Sequence, residues 1–249
     1  ALGKGRPGWH IECSAMSMAT LGEQIDIHTG GVDLIFPHHE NEIAQSEGAT
    51  GKPFVKYWMH NEWVLVDQKK MSKSEKNFYT LRDLVDKSID PIVYRFWLLM
   101  ANYRTRVNFV WEALEGAETA LKRLYNLCLE LGSNVGKVNS EYQKKFKEFI
   151  EDDLDTPRAL TVLWDVMKEE NLSSADKKAT VLDFDKVFGL GFADLKEEKI
   201  PEEVQKLAKE REQTRKNKDF SKSDELRKKI NSLGYEVKDT AEGQKVSKL

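Results

Sequence analysis

Hydrophobic and polar positions follow two rhythms along the chain. Up to about residue 110 short strand-like alternation is mixed with helical spacing, and from Trp111 onward the helical period dominates. Trp9–Thr20 reads as a helix that stops at Gly22, a residue able to take the left-handed conformation that closes helices. Trp9 and Cys13 are four residues apart and share a face. Gln24–His28 alternates Ile25 and Ile27 with polar residues, so it reads as a short strand emptying into the turn Thr29-Gly30-Gly31. A second helix is predicted from near Pro37 to Gly48, since proline is tolerated at a first helical position. On it His38 and Glu42 stand i and i+4 on one face, while His39 points elsewhere with Ile43. Trp63–Val66 reads as a strand and Asp67–Asn77 as a polar loop. Leu81–Lys87 and Pro91–Met100 read as helices, the second apolar nearly all round and so expected to be buried.

Beyond Trp111, Leu114, Ala117, Leu121, Leu124 and Cys128 keep helical register, which makes Cys128 a packing residue. Three further stripes run through Tyr142–Ile150, Leu160–Met167 and Val181–Phe188. Amphipathic helices joined by short loops predict a helical bundle. Glu202–Asn217 and Ser223–Leu233 read as two more helices, highly charged, followed by a β-like Tyr235–Lys238. The fold class is therefore α/β followed by all-α.

Composition narrows the function classes. The net charge of −3 over 249 residues excludes a globally basic nucleic-acid binder. Residues 201–249, however, hold 13 Lys and Arg against 10 Asp and Glu, a basic tail on an acidic chain. The chain's two cysteines cannot build a disulfide framework, which fits a reducing compartment, and a cytoplasmic protein is expected. The longest apolar run, around Phe96–Ala101, is far too short to span a membrane. The start at Ala1 reads like the middle of a domain, so upstream sequence is expected.

All five histidines lie at or before His60. Cys13, His38 and Glu42 offer the thiolate, imidazole and carboxylate that zinc accepts. Taken singly, the cysteine also reads as a small buried apolar residue and the His–Glu pair as a surface pair. Three ligands leave a fourth position for water, substrate or a residue upstream. The loop Lys70-Met71-Ser72-Lys73-Ser74 presents two lysines three apart, either surrounding an anion or simply solvated. His28, Gly30, Gly31 and Asp33 sit beyond the carboxyl end of a strand, where α/β sheets bind ligands.

GRPGWHIECSAM, DIHTGGVDLIFPHHENEIAQSE and KMSKS occur here in one order. Together they resemble the cysteinyl-tRNA synthetases, a class I aminoacyl-tRNA synthetase family. KMSKS alone marks class I synthetases generally, and the three in this order are far more specific. DLDTPRAL resembles the start of that family's helical anticodon-recognition bundle, and KDFSKSDELRKKINSLGYEVKDT its small terminal region. The resemblance implies the second half of a Rossmann-type catalytic domain (1–60), a stem-contact segment carrying KMSKS (61–110), an anticodon-binding bundle (111–200) and a small basic region (201–249). It further implies that the HIGH motif and a fourth, cysteine zinc ligand lie upstream, so this stretch alone is expected not to form an adenylate.

By the same resemblance Cys13, His38 and Glu42 hold one zinc ion. Trp9 and His28 line the cysteine pocket, and Gly31 and Asp33 approach the ATP ribose. Val64 offers backbone to the adenine, and Lys70 and Lys73 stabilise the departing pyrophosphate. L-cysteine, ATP with Mg2+ and tRNA(Cys) are the implied substrates, with no membrane partner and a monomeric state. Two departures stand out: Thr29 where the family often has glycine, and Glu75-Lys76-Asn77 where KMSKS is usually followed, one residue on, by Gly-Asn. The related cysteine ligase of mycothiol synthesis has no tRNA to read, and the long bundle and basic tail argue against it. A non-catalytic zinc- or RNA-binding module is a third reading. Arg211, Arg215, Lys216 and Lys218 lie along one charged helix that could touch RNA or face solvent.

Overall fold

The computed structural model describes residues 3–5, 7–71, 77–196, 201–217, 219–240 and 243–248. The chain forms two compact units, 1–195 and 196–249.

In the first unit α1 (Trp9–Leu21) ends at Gly22, whose φ of 96° only glycine adopts readily. Strand β1 (Ile25–Gly31) runs past the expected end at His28, because it pairs in parallel with β2 (Val55–Asn61) from Ile25↔Val55 to Gly31↔Asn61. The pattern alone did not mark β2: both faces of the strand carry apolar and polar residues, and its partner lies about thirty residues away. Between the strands, a 3-10 turn (Val32–Leu34) and a segment kinked at the extended Phe36 (Ile35–His39) lead into α2 (Glu40–Thr50), so the regular helix starts later than Pro37. Ser14, buried on α1, donates to Gln45 Oε1 at 3.0 Å and locks α1 to α2.

A second sheet, in the order β4-β3-β5, follows from β3 (Val64–Val66), β4 (Lys69–Lys70) and β5 (Val107–Phe109). The β3–β4 turn places Asp67 and Gln68 at φ 48° and 64°, the conformation of a tight two-residue hairpin. Asn108 on β5 accepts from the Gln68 backbone N–H at 2.6 Å and steadies that turn. Helix α3 (Leu81–Asp86) opens with a Thr80–Asp83 capping box, and α4 (Pro91–Leu99) with Asp90 capping and Pro91 in the first turn. Only Val93 and Phe96 of α4 are buried, and Leu98 and the following Met100 are exposed. The expectation of an all-round buried helix is thus corrected: it packs one side on the core and leaves the other at the surface.

Four helices follow: α5 (Trp111–Glu130), α6 (Ser140–Glu151), α7 (Thr156–Lys168) and α8 (Ser174–Phe188). Their apolar stripes merge with Val66, Leu84 and Phe109 into one core, in which Cys128 is fully buried. Asp155 caps α7 by accepting from the Arg158 backbone N–H. The neighbouring Asp153 accepts from Tyr103 and Arg104, tying the bundle to the segment that precedes β5.

The second unit packs α9 (Glu202–Lys216) and α10 (Phe220–Ser232) with an antiparallel hairpin, β6 (Tyr235–Thr240) and β7 (Gly243–Lys248). Its core is Val204, Ala208, Ile230 and Val237. Arg211 is 2% exposed and donates to both carboxylate oxygens of Asp239 and to Gln244 Oε1. It is therefore an internal tie between helix and hairpin, which corrects its placement on a solvent-facing charged stripe. No helix among the described residues is long and apolar enough to cross a membrane.

Candidate metal and substrate site

Ligand atoms of Cys13, His38 and Glu42 lie within 4.8 Å of one another, brought together where α1 packs beside the start of α2. Glu42 is completely buried and His38 nearly so, while Cys13 is partly exposed. His38 Nε2 stands 2.7 Å from Glu42 Oε1, and His28 Nε2 is 3.3 Å from Oε2. Even so, neither carboxylate oxygen accepts a hydrogen bond. A buried carboxylate without donors is costly unless a cation or proton neutralises it. Burial pushes the Glu42 carboxyl up, and burial, then the charges of Glu42 and Glu12, push the Cys13 thiol up. Burial, then His10, pushes His38 down, in the direction that favours the neutral, ligating imidazole. The arrangement can hold a metal ion. A soft sulfur, an imidazole and a carboxylate match a borderline-soft divalent cation, and the orphaned Glu42 oxygens lack what such a cation provides.

A second group meets at the same carboxylate: His28, His39 and Glu42 also offer ligand atoms within 4.8 Å. His39 does not point away, as its helical position suggested. It is buried, its Nδ1 lies 2.8 Å from His60 Nε2, and its ring contacts those of His28 and Trp58 at 4.8 Å. Burial, then His28, His60 and His38, push it down to about 4. The chain kinks at Phe36, which is extended at φ −128° and ψ 132°, so His38 and His39 enter α2 from a break and not from a continuous helix. His39, His60 and Trp58 are the site residues that sequence reasoning missed. The confinement of every histidine to the first 60 residues was the signal that could have found them. Trp9 lies with its ring 4.1 Å from that of His38 and keeps an exposed face.

The end of β1 forms the next wall. A Cβ at Gly30 would fall 2.6 Å from His39 Cε1, and one at Gly31 2.4 Å from Asp33 Oδ1. Glycine is what lets the histidine and carboxylate close on the strand. Asp33 Oδ1 accepts from Trp63 Nε1 at 3.1 Å, and the Lys70 ammonium sits 4.3 Å over the Trp63 ring. Val64 follows directly and pairs with Val107. Asp33, Val64 and Lys70 thus meet around Trp63, although Asp33 follows β1 of one sheet and the others lie in the second. Asn77 Nδ2 donates to the Lys70 carbonyl at 3.1 Å, closing the base of the lysine loop. Lys73 and Lys76 lie outside the described residues, as does Lys218.

Residues 1–119 match the tRNA synthetases class I (C) catalytic domain, and residues 197–246 match the cysteinyl-tRNA ligase anticodon binding domain. Nearly the whole chain, 99%, aligns with the cysteine–tRNA ligase of Protochlamydia amoebophila at 44% identity. The chain belongs to the cysteinyl-tRNA ligase family. The family's enzymes from Caldicellulosiruptor saccharolyticus and Methanosarcina acetivorans are 44% and 45% identical, again over 99% of the chain. The chain spans 55–58% of the length of these family members. Among solved structures, a LeuRS–tRNA–LeuAMS ternary complex from Agrobacterium radiobacter K84 superposes with a TM-score of 0.52 at 16% identity, covering 67% of this chain and 26% of that one. At that identity the likeness is one of fold, and it agrees with a class I synthetase catalytic architecture.

Proposed function

We propose that this chain supplies the amino-acid-selecting part and the lysine loop of a cytoplasmic, monomeric cysteine–tRNA ligase. The whole enzyme joins L-cysteine to ATP, supplied with Mg2+, to give cysteinyl-adenylate and pyrophosphate. It then transfers the cysteinyl group to the 3′ end of tRNA(Cys). The observation that carries this reading is the buried Glu42 carboxylate, without a hydrogen-bond donor, facing Cys13 and His38 in a chain of this family.

Cys13, His38 and Glu42 would hold zinc. When bound, zinc supplies a Lewis acid that favours a sulfur ligand over a hydroxyl oxygen, a basis for separating cysteine from serine without editing. Trp9 and His28 would form the pocket walls on either side of this cluster. Gly31 leaves room for a ribose to approach the strand, and Asp33, oriented by Trp63, would accept from its hydroxyls. Val64 would offer backbone groups to the adenine. Lys70, held over Trp63, and Lys73 would place positive charge where the pyrophosphate leaves, stabilising the transition state more than the ground state. The segment 61–110 would contact the tRNA stem, and the bundle 111–200 with the basic 201–249 region would recognise the anticodon arm.

The test is pyrophosphate exchange into ATP by the ligase containing this chain. Exchange that requires cysteine and is not supported by serine is the expected result. Equal exchange with serine overturns selection through the thiol.

A further inference from the structure

Trp63 stands in the short link between β2 and β3, and its side chain joins groups that are distant in sequence. Its indole Nε1 donates to Asp33 Oδ1 at 3.1 Å, beside the end of β1, where a Cβ on Gly31 would come 3.6 Å from that nitrogen. The Lys70 ammonium sits 4.3 Å from the ring centroid, and the Arg106 guanidinium 5.6 Å from it. The backbone that carries the ring is held on both sides. The Trp63 N–H donates to Glu62 Oε2 at 3.3 Å, and the Trp63 carbonyl accepts from the Val107 N–H at 3.3 Å. The two cations differ in one respect. Arg106 Nε donates to Glu62 Oε2 at 3.2 Å, so its charge is matched. Lys70 has no carboxylate partner among the described residues, so it rests on the ring with its charge uncompensated.

We infer that Trp63 is a positioning residue for adenylate formation: one indole aligns both the carboxylate that receives the ribose and the lysine that meets the departing pyrophosphate. The inference rests on the functional reading above and deepens it, because it assigns two separable kinetic effects to two parts of one side chain. An ammonium has three donors, and a ring face covers one side of it, leaving donors for phosphate oxygens. A carboxylate in the place of the ring would order the lysine but cancel its charge. The ring orders it and leaves the charge whole, which is what a developing anion requires. Without the ring, the flexible four-carbon stem must be ordered as the anion develops, and that cost falls on the transition state. On the other side, the indole N–H occupies Asp33 Oδ1 and leaves Oδ2 for a ribose hydroxyl. A ribose contact is the same in the ground and transition states, so weakening it raises KM and spares kcat.

Pyrophosphate exchange by the ligase containing this chain, measured over a range of ATP concentrations, separates the two effects. Trp63→Phe keeps an aromatic face and removes the N–H. It should raise KM for ATP about 5-fold and hold kcat within about 2-fold. Trp63→Leu removes both features and should raise KM to a similar extent while lowering kcat about 5-fold. In a Lys70→Ala background, Trp63→Leu should lower kcat no further, because the ring then has no ammonium to hold. A Trp63→Leu ligase that keeps full kcat overturns the proposal. An equal kcat loss in both backgrounds also overturns it, since that marks a structural role. Should the leucine variant fail to fold, Trp63→Phe decides: a kcat loss of about 5-fold at unchanged melting temperature, with KM unmoved, is the reverse of the expected split and overturns the proposal. If the unsubstituted ligase shows no cysteine-dependent exchange, the functional reading and this proposal fall together. Normal exchange that is indifferent to Trp63 removes the proposal alone.

Discussion

At the scale of single residues the proposed metal site turns on Glu42. Its carboxylate is fully buried between two imidazoles, yet neither oxygen accepts a hydrogen bond. Replacing it with glutamine keeps the shape, removes the charge and puts an amide where a cation would sit. Glu42→Gln should therefore lower zinc affinity at least ~10-fold, read as zinc retained after dialysis against a weak chelator. Undiminished retention would remove the carboxylate from the ligand set. The same pocket shows how one dihedral choice hides a residue from sequence reasoning. His38 and Glu42 are four apart and were legible as a pair, whereas His39 is adjacent to His38 and on a straight helix would face away. Both histidines are buried just after a kink at Phe36, whose backbone is extended and not helical, a local break that no spacing rule anticipates.

Caps carry charge into the stability of individual elements. Asp155 at the head of α7 sits in the DLDTPRAL stretch, accepts from the Arg158 backbone N–H and is held below the usual carboxylate range first by that bond and then by the Arg158 side chain. A folded-state pKa below the unfolded one means stability that is present above the unfolded value, about 3.9, and lost as pH falls through the folded one. Urea titrations at neutral and strongly acidic pH should show this loss, and Asp155→Asn should shrink it. An unchanged pH response in the variant would mean the cap contributes nothing through its charge. In the second unit, Arg211 anchors α9 to the hairpin through Asp239 and Gln244. Arg211→Ala should free β6 and β7 first, seen as faster hydrogen exchange in those strands with the exchange of α5–α8 unaltered. Uniformly faster exchange across both units would contradict a local tie. Sequence placed Arg211 on a charged face because its neighbours on α9 are charged. Its partners stand 28 and 33 residues away, beyond the reach of a helical pattern.

For the molecule as a whole, charge is divided unevenly. The net −3 combines 13 − 10 = +3 in residues 201–249 with (39 − 13) − (42 − 10) = −6 in the remainder. If the tail contacts tRNA phosphates, binding should weaken steeply when salt is raised from about 50 to about 200 mM, because neutralised phosphates release counterions. Fluorescence anisotropy with labelled tRNA measures the slope, and a flat response would exclude phosphate contacts as the source of affinity.

The sequence by itself determined the helical bundle, the closing Gly22 and the family, because all of these are written in local periodicity or in contiguous motifs. It also placed Cys13, His38 and Glu42 as candidates. The tertiary structure decided which of those candidates meet. It added β2, β4, β5 and the hairpin's second strand β7, turned His39 and His60 into the cluster, joined Asp33 to Lys70 through Trp63, and buried Arg211. The physical reason is the same in each case. Parallel pairing, buried ion pairs and ligand shells are contacts between residues distant in sequence, selected by which surfaces the folded chain brings together, and short-range pattern carries no record of them.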